Sequence, residues 1–178
     1  MNGDAAVAVG LTEHGREQAR RLGEALRATP LDLCVTSALQ RAVETADVAL
    51  AGRDVPRLAL PELNDPLYGR FEGGALDAYR DWAAGSPSTA APEGGGESRV
   101  EIVARYARAF HTVLSRAEET ILVVCHSLPI AYALGAREGT PPSPREPLAE
   151  YTRPYPFSAS ELERAAAVLE AWATAPTW

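Results

Sequence analysis

Thr120 to Cys125 reads Thr-Ile-Leu-Val-Val-Cys, a run with no polar residue inside it. A strand with one wet face alternates apolar and polar side chains. A strand that is apolar throughout is covered on both faces, which is the situation inside a parallel sheet flanked by helices. Leu31 to Thr36 and Arg57 to Leu60 are shorter strand candidates.

Between these runs the apolar spacing changes to three and four residues. Thr12 is placed to cap a helix over about Glu13–Ala28, with Ala19, Leu22 and Leu26 inward, closed by Thr29-Pro30. Ser37 is placed to cap a helix over about Ala38–Leu50. Further helices are expected at about Leu76–Ala84, Arg99–Ala117 (opened by Ser98) and Leu128–Leu134. Ser160 with Glu163 fits a capping box for a last helix. Pro61–Gly74 reads as a turn-rich loop, Ser86–Gly96 as a mobile one, and Gly139–Pro156 as irregular and proline-rich. Strands alternating with helices predict an α/β three-layer sandwich with a mostly parallel central sheet. The 178 residues suit a single domain over 1–178, with a loop at 1–10, an irregular stretch at 139–157 and a C-terminal helix at 158–174.

A net charge of −7 argues against a basic nucleic-acid-binding surface, although a few arginines can still hold a small anion. Cys34 and Cys125 are too few for a disulfide framework and fit a reducing cytoplasm. Met1–Gly10 lacks the basic start and apolar core of a signal peptide, and no stretch is long enough to span a bilayer. No metal-ligand spacing is present, and Gly94-Gly95-Gly96 lacks the lysine of a P-loop. Neither a metal nor an organic cofactor is expected.

Ligand sites in open α/β sheets lie beyond the carboxyl ends of the strands. Three segments put polar residues there: Thr36–Ala42, Leu63–Gly73 and Cys125-His126-Ser127. Together with LTEHGREQA (11–19) and GGGES (94–98), the segments TSALQRAVETA (36–46), LNDPLYGRFEG (63–73) and VVCHS (123–127) resemble, in order, the histidine phosphatase superfamily, the phosphoglycerate-mutase-like proteins. The likeness covers Leu11 to about Gly135. It implies phosphoryl transfer through a phosphohistidine. A histidine in an Arg-His-Gly motif attacks phosphorus, arginines and a second histidine hold the equatorial oxygens, and a carboxylic acid protonates the leaving oxygen. Imidazole is a good nucleophile near neutral pH, and guanidinium forks match phosphate oxygens.

By this resemblance Arg41 is the phosphate-binding arginine, His126 the second histidine and Asp65 the acid. Ser127 is placed to meet the phosphate, and Glu97 and Ser98 to line the pocket. The Arg-His-Gly motif itself does not occur. His14 lies in the helix after the catalytic loop and follows Glu13, His111 reads as a mid-helix surface residue, and Cys125 lacks the arginine of a Cys-x5-Arg loop. The likeness implies that a leading strand and loop are missing ahead of Met1, which would leave a neighbouring strand with unpaired backbone groups. Three functions follow as expectations: a phosphomonoester hydrolase in a longer form, with this chain inactive for want of its nucleophile; a non-catalytic binding module for a small phosphorylated metabolite; or a mutase-type phosphotransferase. A chain that folds poorly and does nothing is the fourth outcome.

Overall fold

The computed structural model describes all residues 1–178. In chain order its elements are α1 (Glu13–Ala25), β1 (Leu33–Thr36), α2 (Gln40–Ala49), β2 (Arg57–Ala59), α3 (Leu76–Ala84), α4 (Arg99–Leu114), β3 (Ile121–Val124), α5 (Ser127–Arg137) and α6 (Ala159–Thr174). Single 3-10 turns at Pro61–Leu63 and Gly69–Phe71 interrupt the loop after β2. Helix starts follow their side chains. Thr12 accepts the Gly15 amide at α1, and Ser98 with Glu101 forms a full capping box at α4, each satisfying amides that the first turn leaves free.

The three strands form one parallel sheet in the order β2-β1-β3. Thr36 pairs in register with Ala59 on one side and Val124 on the other. The strands therefore end level, and Ser37, Leu60 and Cys125 leave the sheet at one rim. Side chains of β1 alternate across the sheet. Leu33 and Val35 pack with α4, α5 and α6, and Cys34 packs with Ala42, Ala46 and Leu50 of α2. The sheet is thus the middle of three layers, as the apolar runs imply. Ile102, Val103 and Tyr106 of α4 are fully buried on it. Each such apolar side chain contributes roughly 1.5–3 kcal/mol through burial.

β3 pairs on one side only. While β1 is buried throughout, Ile121, Leu122 and Val123 are half-buried. A cavity of about 1060 Å³ runs along this open edge, past Phe110 and Val113, to the strand ends. The first residues pack on the loop after β2, with the Met1 amino group donating to Gly74 O at 3.0 Å and Gly3 N to the Glu72 carboxylate at 3.2 Å, while Gly10 lines the cavity. Gly3 is obligatory there, because a Cβ would stand 1.7 Å from Pro66 O.

Some local expectations need correction. The last helix is boxed by Ser158 and Glu161 rather than Ser160 and Glu163. α2 starts at Gln40 with no side-chain cap, so Ser37 does not cap it. The Ser86–Gly96 loop is anchored. Ser88 is fully buried and bonded to Trp178 O, and Glu93 O accepts from Arg70 N at 2.7 Å. No helix is long and apolar enough to cross a membrane.

Candidate active site

The level strand ends bring three elements to one point. β1 runs through Ser37 into α2, which carries Arg41 on its first turn. β3 runs through His126 into α5. The loop after β2 supplies Asn64 and Asp65. Asn64 fixes that loop from both sides: its Oδ1 accepts the Ala38 amide at 2.8 Å, and its carbonyl oxygen accepts from Arg105 Nη1 at 2.9 Å and Tyr106 Oη at 3.1 Å.

Arg41, Asp65 and His126, which the sequence assigns to one site, do meet. Arg41 Nη2 donates to Asp65 Oδ2 at 2.6 Å, and His126 Nδ1 lies 3.5 Å from the same oxygen. The His126 side chain is 5% exposed and Arg41 25%, so the imidazole forms the floor and the guanidinium the rim. On the other side of the ring, Nε2 lies 2.8 Å from Ser37 Oγ. Ser37 Oγ already accepts from Leu39 N. The Asp65 carboxylate can only accept, so the imidazole proton is assigned to Nδ1, which faces it, and Nε2 accepts the Ser37 hydroxyl proton. Burial, reinforced by Arg41 and Arg105 and opposed by Asp65, pushes the His126 pKa down to about 4. The ring is neutral near neutral pH, with Nε2 hydrogen-bonded to Ser37 and Nδ1 facing Asp65.

The remaining sequence candidates fare differently. Ser127 lines the cavity, but its hydroxyl donates to Ala149 O at 3.0 Å. Its amide, the first of α5, has no acceptor within the helix and points the positive end of the helix toward the strand ends. Glu97 and Ser98 do not line the cavity. Glu97 clamps Arg105 with both oxygens, at 2.9 and 2.8 Å, and accepts the Leu67 amide, while Ser98 caps α4. His14 is exposed on α1, and His111 is exposed and paired with Glu170 at 2.9 Å. Burial holds the Cys125 thiol up at about 12, so it is no thiolate. No group of three or more His, Cys, Asp or Glu side chains is arranged to hold a metal.

Two residues escaped the sequence reading. Ser37 looks like a helix cap from its neighbours alone. Arg99 is buried in the cavity wall at 7% exposure. Its signal was its phase, since it falls four residues before Val103 on the apolar stripe of α4.

Residues 4–174 match the family model of histidine phosphatase superfamily branch 1. The chain belongs to that superfamily. Among related histidine phosphatases, the adenosylcobalamin/α-ribazole phosphatase of Salmonella typhimurium is 48% identical over 62 residues, 35% of this chain and 31% of that protein. The match thus spans about a third of that relative's length. A 2,3-bisphosphoglycerate-dependent phosphoglycerate mutase of Brucella melitensis is 33% identical over 147 residues, 75% of this chain and 71% of the mutase. The crystal structure of a putative α-ribazole-5'-P phosphatase from Escherichia coli superposes with a TM-score of 0.66 at 29% identity, covering 79% of this chain and 72% of that one. A mycobacterial glucosyl-3-phosphoglycerate phosphatase gives 0.63 at 26% identity, with 79% and 74% covered.

Proposed function

We propose that this histidine phosphatase domain binds a small phosphomonoester at Arg41, His126 and the first amide of α5. One observation carries the reading: a guanidinium nitrogen and an imidazole nitrogen from separate crossovers converge on one anionic oxygen, Asp65 Oδ2. That carboxylate oxygen stands in for a phosphoryl oxygen. When phosphate enters, Arg41 takes a phosphoryl oxygen as a fork, His126 Nδ1–H donates to a second, and the helix amide meets a third. Asp65, displaced but still tethered by Asn64, is left beside the ester oxygen.

In a form that also supplies a nucleophilic histidine, the reaction is phosphoryl transfer. The P–N bond forms as the P–O ester bond breaks, and Asp65, entering this step in its acid form, gives its proton to the leaving oxygen. Water then attacks phosphorus, passing a proton back to the Asp65 carboxylate, and the P–N bond breaks, releasing phosphate. Charge on the equatorial oxygens is met by groups already in place, which is where such catalysis gains most. His126 meets the phosphate as a donor, with Nε2 held by Ser37, and His14 and His111 lie outside the cavity. The 178-residue chain by itself therefore binds phosphate without turning it over. The relatives named above include phosphatases and a mutase, and hydrolysis is the reading we adopt.

Titration calorimetry with inorganic phosphate tests this. We expect saturable 1:1 binding that Arg41→Ala and His126→Ala each weaken at least tenfold, with negligible hydrolysis of p-nitrophenyl phosphate. Binding indifferent to both substitutions, or turnover that survives His126→Ala, would overturn it.

A further inference from the structure

The half-buried arginines that pack against the core are matched to acceptors, whereas the one fully buried arginine is not. Arg105 is clamped by the Glu97 carboxylate and two carbonyls, Arg53 donates to the carbonyls of Leu26 and Thr29, and Arg41 meets Asp65. Arg99 is more deeply buried than any of these, yet it makes no ion pair. Its one hydrogen bond runs from Nη1 to the neutral Tyr132 hydroxyl at 3.0 Å, and its guanidinium lies 5.4 Å from the Tyr79 ring centre. Nε is sealed from solvent without a partner. Nη2 has no protein partner either, but it is not sealed.

A guanidinium held away from water without an anion is strongly disfavoured, and such a charge is ordinarily matched. Arg99 lines the same cavity as Arg41, Asp65 and His126. Tyr68 lies on the same Tyr79 ring that Arg99 faces, edge-on with 4.7 Å between the ring centres. Burial and the Asp65 carboxylate keep its hydroxyl protonated well beyond the ordinary tyrosine range, while Arg41 and Arg99 both act on it in the opposite sense. Its hydroxyl has no protein partner and opens on the cavity.

We propose that Arg99, with Tyr68 beside it, forms a second anion subsite, so that the preferred substrate is a phosphomonoester carrying another anionic group, a carboxylate or a second phosphoryl. This rests on the phosphate site at Arg41 and His126. Arg99 Nη2 and the Tyr68 hydroxyl donate to the second anion, and the Tyr79 ring and Tyr132 hydroxyl hold the guanidinium in place. Because the subsite acts in binding, it is measurable on the chain as it stands.

The test compares ligands differing at one group: glycerol 3-phosphate, 3-phosphoglycerate (carboxylate in place of the C1 alcohol) and glycerol 1,3-bisphosphate (phosphoryl added at C1). Calorimetry on the 178-residue protein is expected to show at least one of the two dianionic-ended ligands binding about tenfold or more tighter than glycerol 3-phosphate, the scale of one charge-assisted pair. Which of the two gains more identifies the anion. Arg99→Met is expected to bring that ratio close to one. Arg99→Lys, which keeps the charge and guards against a folding defect, retains part of it. A ratio near one in the wild type, or a full ratio surviving in either Arg99→Met or Tyr68→Phe plus Arg99→Lys, overturns the subsite. If Arg41→Ala leaves glycerol 3-phosphate binding unchanged, the primary phosphate site has failed instead.

Discussion

Ser37 Oγ and His126 Nε2 are hydrogen-bonded at 2.8 Å across the ends of two paired strands, 89 residues apart in sequence. The contact fixes the ring before any ligand arrives. With the acceptor-only Asp65 carboxylate facing Nδ1, Nε2 is left to accept the Ser37 proton. The imidazole that would meet phosphate is thereby presented through Nδ1, in a buried and neutral state.

Neutral burial makes stability depend on pH. The His126 pKa falls to about 4 in the fold, against 6.5 for the free side chain, because burial disfavours the cation. Between these values the unfolded chain binds more protons than the folded one, so stability drops as pH falls from about 6.5 and levels off below about 4. The difference corresponds to on the order of 3 kcal/mol. Urea unfolding at intervals from pH 7.5 to 4 should show that slope, and His126→Gln should remove most of it. A wild-type curve as flat as the variant's would contradict the buried neutral ring.

Removing the Ser37 hydroxyl leaves Nε2 in a buried site with no partner. Ser37→Ala should cost about 1–3 kcal/mol by the same urea measurement. The proton distribution on the ring also loses its constraint, so the 15N shifts of the two His126 nitrogens should move toward a mixture of tautomers. Unchanged shifts would mean that Asp65 alone orients the ring.

The sheet and its faces were legible in the sequence because fully buried strands must be apolar on both sides, and Leu33–Thr36 and Ile121–Val124 are close to that limit. That three polar segments lie at one rim was legible from the strand ends, while Arg41, Asp65 and His126 were singled out within them by the resemblance to the histidine phosphatases. Ser37 was misread for a physical reason. A serine between a strand and a helix has the local chemistry of a cap, and only the sheet register brings His126 beside it. The α6 start failed differently: Ser158-Glu161 and Ser160-Glu163 both satisfy the box spacing. The helix takes the earlier of the two, beginning at Ala159. Glu97 was assigned to the pocket from its motif, yet its carboxylate is consumed by Arg105, a partner eight residues on that faces it across the first turns of α4.

Asp65 occupies the position proposed for a phosphoryl oxygen, so it competes with the ligand. Asp65→Asn removes the competing charge while keeping the side-chain shape. Inorganic phosphate should then bind several-fold more tightly, with the gain shrinking in high salt as Arg41 is screened. In a form that carries the nucleophile, the same substitution should slow release of a poor leaving group, because the amide has no proton to donate. Weaker phosphate binding in Asp65→Asn would mean that the carboxylate organises the site rather than occupying it.

The Glu97–Arg105 clamp reaches the site through Asn64. Arg105 and Glu97 side chains are 14% and 20% exposed, and Arg105 Nη1 also holds the carbonyls of Glu62 and Asn64. Glu97→Ala strands a mostly buried guanidinium, and a loss of about 2–4 kcal/mol is expected, somewhat below that for a fully sealed pair. Because the freed guanidinium no longer holds a fixed geometry, the Asn64-Asp65 turn should loosen and phosphate affinity should fall as well. Replacing both partners, Glu97→Leu with Arg105→Met, removes the stranded charge and should recover much of the stability, but not the affinity, since the carbonyl of Asn64 still lacks its donor. Urea unfolding and phosphate calorimetry on the single and double variants separate these two effects. Affinity that recovered together with stability would show that the clamp serves the fold alone.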